Sequence, residues 1–170
     1  GILVCWLMLL TFSTPAMKAQ KITRHAKLIA FFAGLIFVAH PIQTQAVTYI
    51  IQRAASLATL FYLTSLSLYV KSRLLQQHGE SLAFSGFFYY GSLIAAVMAM
   101  FTKEMAITLP LMVLLYEICF LKTKEKFNWK QLAPFFLTIL IIRLTMRLTK
   151  DINFIGMRRS LEGPSHISSW

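Results

Sequence analysis

Six apolar runs, at residues 1–13, 28–39, 54–70, 82–101, 105–121 and 132–148, divide this chain, and most of its Lys and Arg residues gather in every second connection between them. That alternation constrains the fold more than any other feature. A bilayer core offers no water to backbone amides and carbonyls, so a chain that crosses it repeatedly satisfies them inside helices. The runs are continuous and lack the alternating pattern of barrel strands. The expected fold class is therefore all-α, a polytopic membrane helical bundle with about six transmembrane segments. Residues 1–150 are expected to form the transmembrane region. Residues 151–170, which hold Gly163, Pro164 and several serines, are expected to be an outer-side loop or the start of the next segment.

Composition agrees with this reading. Of the 170 residues, 57% are hydrophobic and only 14% charged, against about 45–50% and about 25% in soluble domains. Too little polar surface remains to clothe a globule in water. The net charge of +11 would suggest nucleic acid in a soluble protein. Here the bases sit in short connections and build no continuous stripe, so membrane lipids with anionic headgroups are the expected partner and nucleic acid is not. The chain opens at Gly1 inside an apolar run too short to span by itself, with no basic segment ahead of it. It reads as an internal piece of a longer protein and not as a signal peptide. Cys5 and Cys119 lie within apolar runs and are expected to pack there, with no disulfide or metal site.

The bases also set an orientation. Lys18, Lys21, Arg24 and Lys27 fall in one connection, Lys71 and Arg73 in a second, and Lys122, Lys124, Lys126 and Lys130 in a third. By the positive-inside rule these three face the cytoplasm. The intervening turns carry only Arg53 and Lys103 and face the periplasm or lumen, as does the tail after Leu148.

Polar residues on that outer side form the candidate site. The run 28–39 makes a helix only about 18 Å long, short of the hydrocarbon thickness of about 30 Å, so it extends back to Arg24 or forward past His40. In the forward case Pro41 opens a new helix. Thr44, Gln45, Thr48 and Gln52 then share one face, opposite Ile42, Ala46 and Ile50. That polar face lines a water-filled cavity or lies along the outer interface. At the next outer turn Lys103 and Glu104 are adjacent charges with almost no loop around them. Such charges are costly unless paired or hydrated and mark functional candidates; the plain alternative is a snorkelling Lys beside its neighbour. Pro110 is expected to kink the following helix near its outer end. Glu117, late in the fifth run, is expected to pair with Lys122 or Lys124 and is given no role. Arg143 and Arg147 stand four apart on the outer half of the last run, where they either hold a phosphate or reach headgroups. No Gly-rich phosphate loop and no HExxH occurs, and with Asp151 as the only aspartate no Ser-His-Asp set can be assembled. Neither a metal nor another cofactor is indicated.

The block HPIQTQAVTYIIQRAASLATLFYLTSLSLY, followed by TKEMAITLPLMVLLYE, resembles a membrane glycosyltransferase-like family. It includes the transmembrane and tetratricopeptide repeat-containing O-mannosyltransferases and their bacterial relatives. LTFSTPAMK and LAPFFLTILIIRL are similar to the same family, in the same order. The resemblance implies a GT-C architecture with catalysis on the periplasmic or lumenal side. It implies a polyprenyl- or dolichyl-phosphate sugar as donor, mannose among the candidates, and a protein or glycan acceptor. It also implies a catalytic acid in the first outer loop, upstream of Gly1, acting as general base on the acceptor hydroxyl. The present segment alone is accordingly expected to be inactive. On the matching positions, Lys103 and Arg53 are expected to neutralise the donor phosphate. Glu104 is expected to orient Lys103, and His40 with Gln45 to bind sugar or acceptor. Gln45 stands where relatives often carry Glu, and Ala54 and Ala55 follow Arg53 where many have Asp, which puts an acidic role at those places in doubt. Tetratricopeptide repeats usually follow the membrane part in this family, and no such repeat is visible here. The wording of the matched blocks favours a bacterial inner membrane over the endoplasmic reticulum.

Two other classes fit the same pattern. A transporter or flippase for a lipid-linked or anionic solute would use the same cations but needs a path open to each side in turn. A non-catalytic membrane scaffold needs neither.

Overall fold

The apolar runs fold as helices. The computed structural model describes residues 1–41, 50–121, 131–140, 143, 144, 147 and 154, the side chains of 50–52 and 104 excepted. All regular structure among them is helical. The α-helices are α1 (Ile2–Phe12), α2 (Pro15–Lys18), α3 (Ala26–Ala39), α4 (Ile50–Gln77), α5 (Leu82–Thr102), α6 (Leu109–Tyr116) and α7 (Gln131–Leu140). Tighter 3-10 turns at Lys21–His25 and Glu104–Thr108 lead into α3 and α6, and a wide π turn at Glu117–Leu121 continues α6.

Local chemistry explains the helix ends. Thr14 precedes Pro15 at the first position of α2, where a missing N–H costs nothing. His40 turns extended at the end of α3 because the residue before a proline is pushed out of the helical region. α4 stops at a left-handed Gly79 (φ 74°). There Glu80 N–H donates to Leu75 O and Gly79 N–H to Gln76 O, a Schellman closure that spares a Cβ at positive φ. Ser81 then caps α5, its Oγ accepting from Phe84 N–H.

α4 and α5 form the central antiparallel hairpin, and hydroxyls fix its register. Ser65 Oγ donates to Ser92 O and Ser92 Oγ returns the bond to Ser65 O, at 2.8 and 2.9 Å. One heptad along, Ser72 Oγ donates to Ser85 O at 2.8 Å. Small side chains at this seam let the backbones approach closely. Around the hairpin, Leu10 of α1, Leu66, Tyr69 and Val70 of α4, Ala96 of α5, Val113 of α6 and Phe135 of α7 share one apolar cluster. Tyr69 and Phe135 meet edge-on at 5.5 Å between ring centres. α3 packs chiefly on α1, where a Cβ on Gly34 would overlap the sulfur of Cys5.

The surface is inverted relative to a water-soluble helix bundle. α5 buries Ser85, Ser92, Ala95, Ala96 and Ala99 and exposes Phe87, Tyr90, Ile94 and Phe101, each by more than 60%. α3 exposes Phe31, Phe32, Ile36 and Val38, each by more than half. Two helical stretches, Lys21–Ala39 and Leu82–Thr102, are long and apolar enough to cross a membrane. Ile2–Phe12, Met105–Leu121 and Gln131–Leu140 are apolar but shorter, and α4, although 28 residues long, carries Arg53, Lys71 and Arg73.

The run 28–39 gains its length backwards, through the turn at Lys21–His25, one of its two expected courses; the forward one falls on residues 42–49, which lie outside the described residues. Three expectations are corrected. The connection carrying Lys71 and Arg73 is helix as far as Gln77, because Gly79 and not the first base ends α4. Pro110 starts α6 within its first turn and is not a kink inside it, since the preceding turn is already 3-10. Cys119 is exposed, whereas Cys5 packs on Gly34.

Candidate functional site

Antiparallel packing sorts the polar residues between two ends. The Ser65–Ser92 and Ser72–Ser85 pairs run in opposite chain directions, so the start of α4 and the end of α5 lie together. Continued, this register sets Arg53 level with Lys103 and Glu104. Lys103 breaks the helix: its backbone is extended at φ −156°, and the 3-10 turn Glu104–Thr108 sends the chain back along the bundle. Lys103 and Arg53 are both exposed. The side chain of Glu104 and all of Gln45 lie outside the described residues. His40 is at the same end, since α3 and α1 are antiparallel with Gly1 beside Val38. It follows α3, which packs chiefly on α1.

α7 approaches the same end. Its Gln131 is tied at the far end, where Tyr89 Oη donates to Gln131 O at 2.9 Å, and Ile139 packs on Ala99, Met100 and Ala106. Beyond Ile139, Arg143 and Arg147 are helical and exposed. With Phe136, Ile139, Leu140 and Leu144 they line an open groove of about 490 Å³.

The opposite end holds the most heavily bonded polar group among the described residues. Glu117 is 3% exposed and Arg73 6%. Arg73 Nη2 donates to Glu117 Oε1 at 2.5 Å, and Arg73 Nε donates to both carboxylate oxygens at 3.2 Å. Tyr69 Oη donates to Glu117 Oε2 at 3.0 Å. Arg73 Nη1 and Gln131 Nε2 both donate to Gln76 Oε1, at 3.0 and 2.9 Å. The network therefore joins α4, the π turn and α7. Nearby, Thr11 and Tyr116 share a hydroxyl contact between α1 and α6, and Lys18 Nζ lies 3.4 Å from His78 Nε2. A π turn is rare and occurs mostly as a single widened turn within an α-helix, frequently at functional sites.

The sequence reading assigned Glu117 a partner in Lys122 or Lys124, which lie outside the described residues; its partner is Arg73. A signal was present, namely two opposite charges inside apolar helices, each costly without the other. Arg73, two residues after Lys71, resembles a loop base in the sequence but lies within α4. Among the described residues no group of three or more His, Cys, Asp or Glu side chains is placed to hold a metal ion.

The chain is 39% identical over 88 residues to the protein O-mannosyl-transferase TMTC2 of Homo sapiens, covering 52% of this chain and 10% of that protein. It is 35% identical over 104 residues to the TMTC2 protein of Mus musculus, covering 61% of this chain and 12% of that protein. The chain thus spans about a tenth of the length of the relatives it matches. No family model matches it, and no solved structure does. Over half or more of its length, then, this chain is similar to protein O-mannosyl-transferases.

Proposed function

We propose that the chain is part of a membrane glycosyltransferase of the GT-C type. It transfers a sugar, mannose by analogy, from a polyprenyl- or dolichyl-phosphate donor to a protein or glycan acceptor on the periplasmic or lumenal side. The observation that carries this reading is the partial identity to O-mannosyl-transferases in a chain whose antiparallel hairpin gathers Arg53 and Lys103 at one end. The large exposed aromatic and aliphatic residues of α3 and α5 suit lipid better than water, which supports a membrane setting for these two helices; the shorter apolar helices would complete the bundle by tilting or locally thinning the bilayer.

In this account Arg53 and Lys103 hold the donor phosphate, and charge developing on the leaving phosphate meets fixed cations in a poorly hydrated site. Glu104 orients Lys103, and His40 and Gln45 contact sugar or acceptor. The general base comes from a part of the full protein outside this chain. The bonded network around Glu117 favours the enzyme over a transporter. It ties α4, α6 and α7 together at the basic end, where alternating access would require them to part.

The test uses the full-length protein and a polyprenyl-phosphate mannose donor. Lys103→Met and Arg53→Gln are each expected to lower sugar transfer by roughly a hundredfold, the scale seen when one stabilising donor is removed, with unchanged expression. Undiminished transfer in both variants refutes the assignment.

A further inference from the structure

Lys103 projects from a short link that is held on both sides. Its N–H donates to Ala99 O near the end of α5, and its O accepts from Ala106 N–H in the following 3-10 turn, both at 3.1 Å. Ala99 and Ala106 are buried together with Met100 in one small cluster. Phe61 and Tyr62 of α4 and Ile139 of α7 pack on that cluster; of the three, Tyr62 alone carries a polar tip. Tyr62 Oη stands within side-chain hydrogen-bonding reach of Thr108, the last residue of the turn. Thr108 is also at the N-cap position of α6, yet makes no side-chain capping bond there. Its Oγ1 donates instead to Met105 O at 3.1 Å, so the same oxygen can accept from the phenol. A packed ring with its hydroxyl towards a wet edge suits tyrosine, which has an apolar body and a polar handle.

We propose that Tyr62 is a positioning residue for Lys103, its ring bracing the Ala99–Met100–Ala106 cluster and its hydroxyl holding the turn at Thr108. The inference rests on the donor-phosphate role proposed for Lys103 and deepens it by naming what fixes the lysine in place. Lys103 is exposed, so its aim depends on the backbone from which it springs. Shifting a group at a reacting site by about 1 Å can cost a hundredfold in rate.

The test uses the full-length protein in detergent with a polyprenyl-phosphate mannose donor. Tyr62→Phe keeps the ring and loses only the hydroxyl. It is expected to lower kcat for sugar transfer roughly tenfold, with expression and circular dichroism unchanged. It is also expected to speed hydrogen exchange of the backbone amides of residues 103–108 roughly fivefold, the scale of one lost hydrogen bond. Thr108→Val should act in the same way and Thr108→Ser should not, and Tyr62→Phe should add little to Thr108→Val. In a Lys103→Met background Tyr62→Phe should no longer change transfer, whereas a merely structural residue would lower it equally in both. Unchanged exchange in Tyr62→Phe overturns the proposal, and so does an equal loss of transfer with and without Lys103. The two readings fail separately. If Lys103→Met transfers at the parent rate while Tyr62→Phe still loosens the turn, the lysine's part in the reaction falls and the bracing of its turn stands. Unchanged exchange beside a large loss in Lys103→Met does the reverse.

Discussion

Removing one partner of the Arg73–Glu117 pair should destabilise the fold far more than removing both. Each charge is more than nine-tenths buried, and Glu117 takes bonds from Arg73 Nε, Arg73 Nη2 and Tyr69 Oη. Glu117→Gln keeps the shape but takes the carboxylate charge away from the buried guanidinium, and Arg73→Met takes the guanidinium bonds away from the carboxylate. Breaking a buried pair in this way costs about 3–5 kcal/mol, whereas replacing both partners with apolar side chains of similar volume is often close to neutral. We therefore expect each single variant to lose about 3–4 kcal/mol, a factor of more than a hundred in the folded-to-unfolded ratio. The double variant Arg73→Met with Glu117→Leu should stay within about 1–2 kcal/mol of the parent, giving a coupling of at least about 2 kcal/mol. Denaturation of the full-length protein in mixed micelles, followed by far-ultraviolet circular dichroism, reads this cycle. Two small, additive losses would mean that water reaches the pair and that it does not clasp the helices.

Three further outcomes follow from the packing. Ala96→Leu, at a fully buried position facing α4, should cost about 1–3 kcal/mol by overfilling the hairpin seam, measured in the same unfolding assay. Gly34→Ala places a methyl group against Cys5 and should loosen α1 from α3; Cys5→Ala in the same chain should recover most of that loss, seen as restored thermal stability. Ile94→Lys, on the exposed face of α5, should reduce membrane insertion by about 2.5–3.5 kcal/mol if lipid covers that face, and should leave insertion unchanged if it does not.

Much of this architecture is legible in the sequence, for identifiable reasons. Apolar runs separated by alternately basic and non-basic turns imply antiparallel neighbours, so the joint placement of Arg53 and Lys103 could be read directly. The helix ends were harder. Arg73 looked like a loop residue because charge usually marks a loop, yet the chain stays helical until Gly79 supplies a positive φ. That single misplacement hid the partner of Glu117. Pro110 suggested a kink because the run from Met105 is unbroken, but a first-turn proline loses no helical hydrogen bond. The hairpin register was invisible to hydropathy, since serines that look like polar interruptions are the residues that bond across the seam.

Side-specific cysteine labelling in intact cells tests the account most directly. With Cys5 and Cys119 replaced by serine in the full-length protein, single cysteines are introduced at Arg53, Lys103, Lys18 and His78. The first two should react with a membrane-impermeant maleimide from outside the cytoplasm, and the last two only after the membrane is opened. Equal access to all four, or the reverse pattern, would contradict the placement of Arg53 and Lys103 at an outer catalytic end.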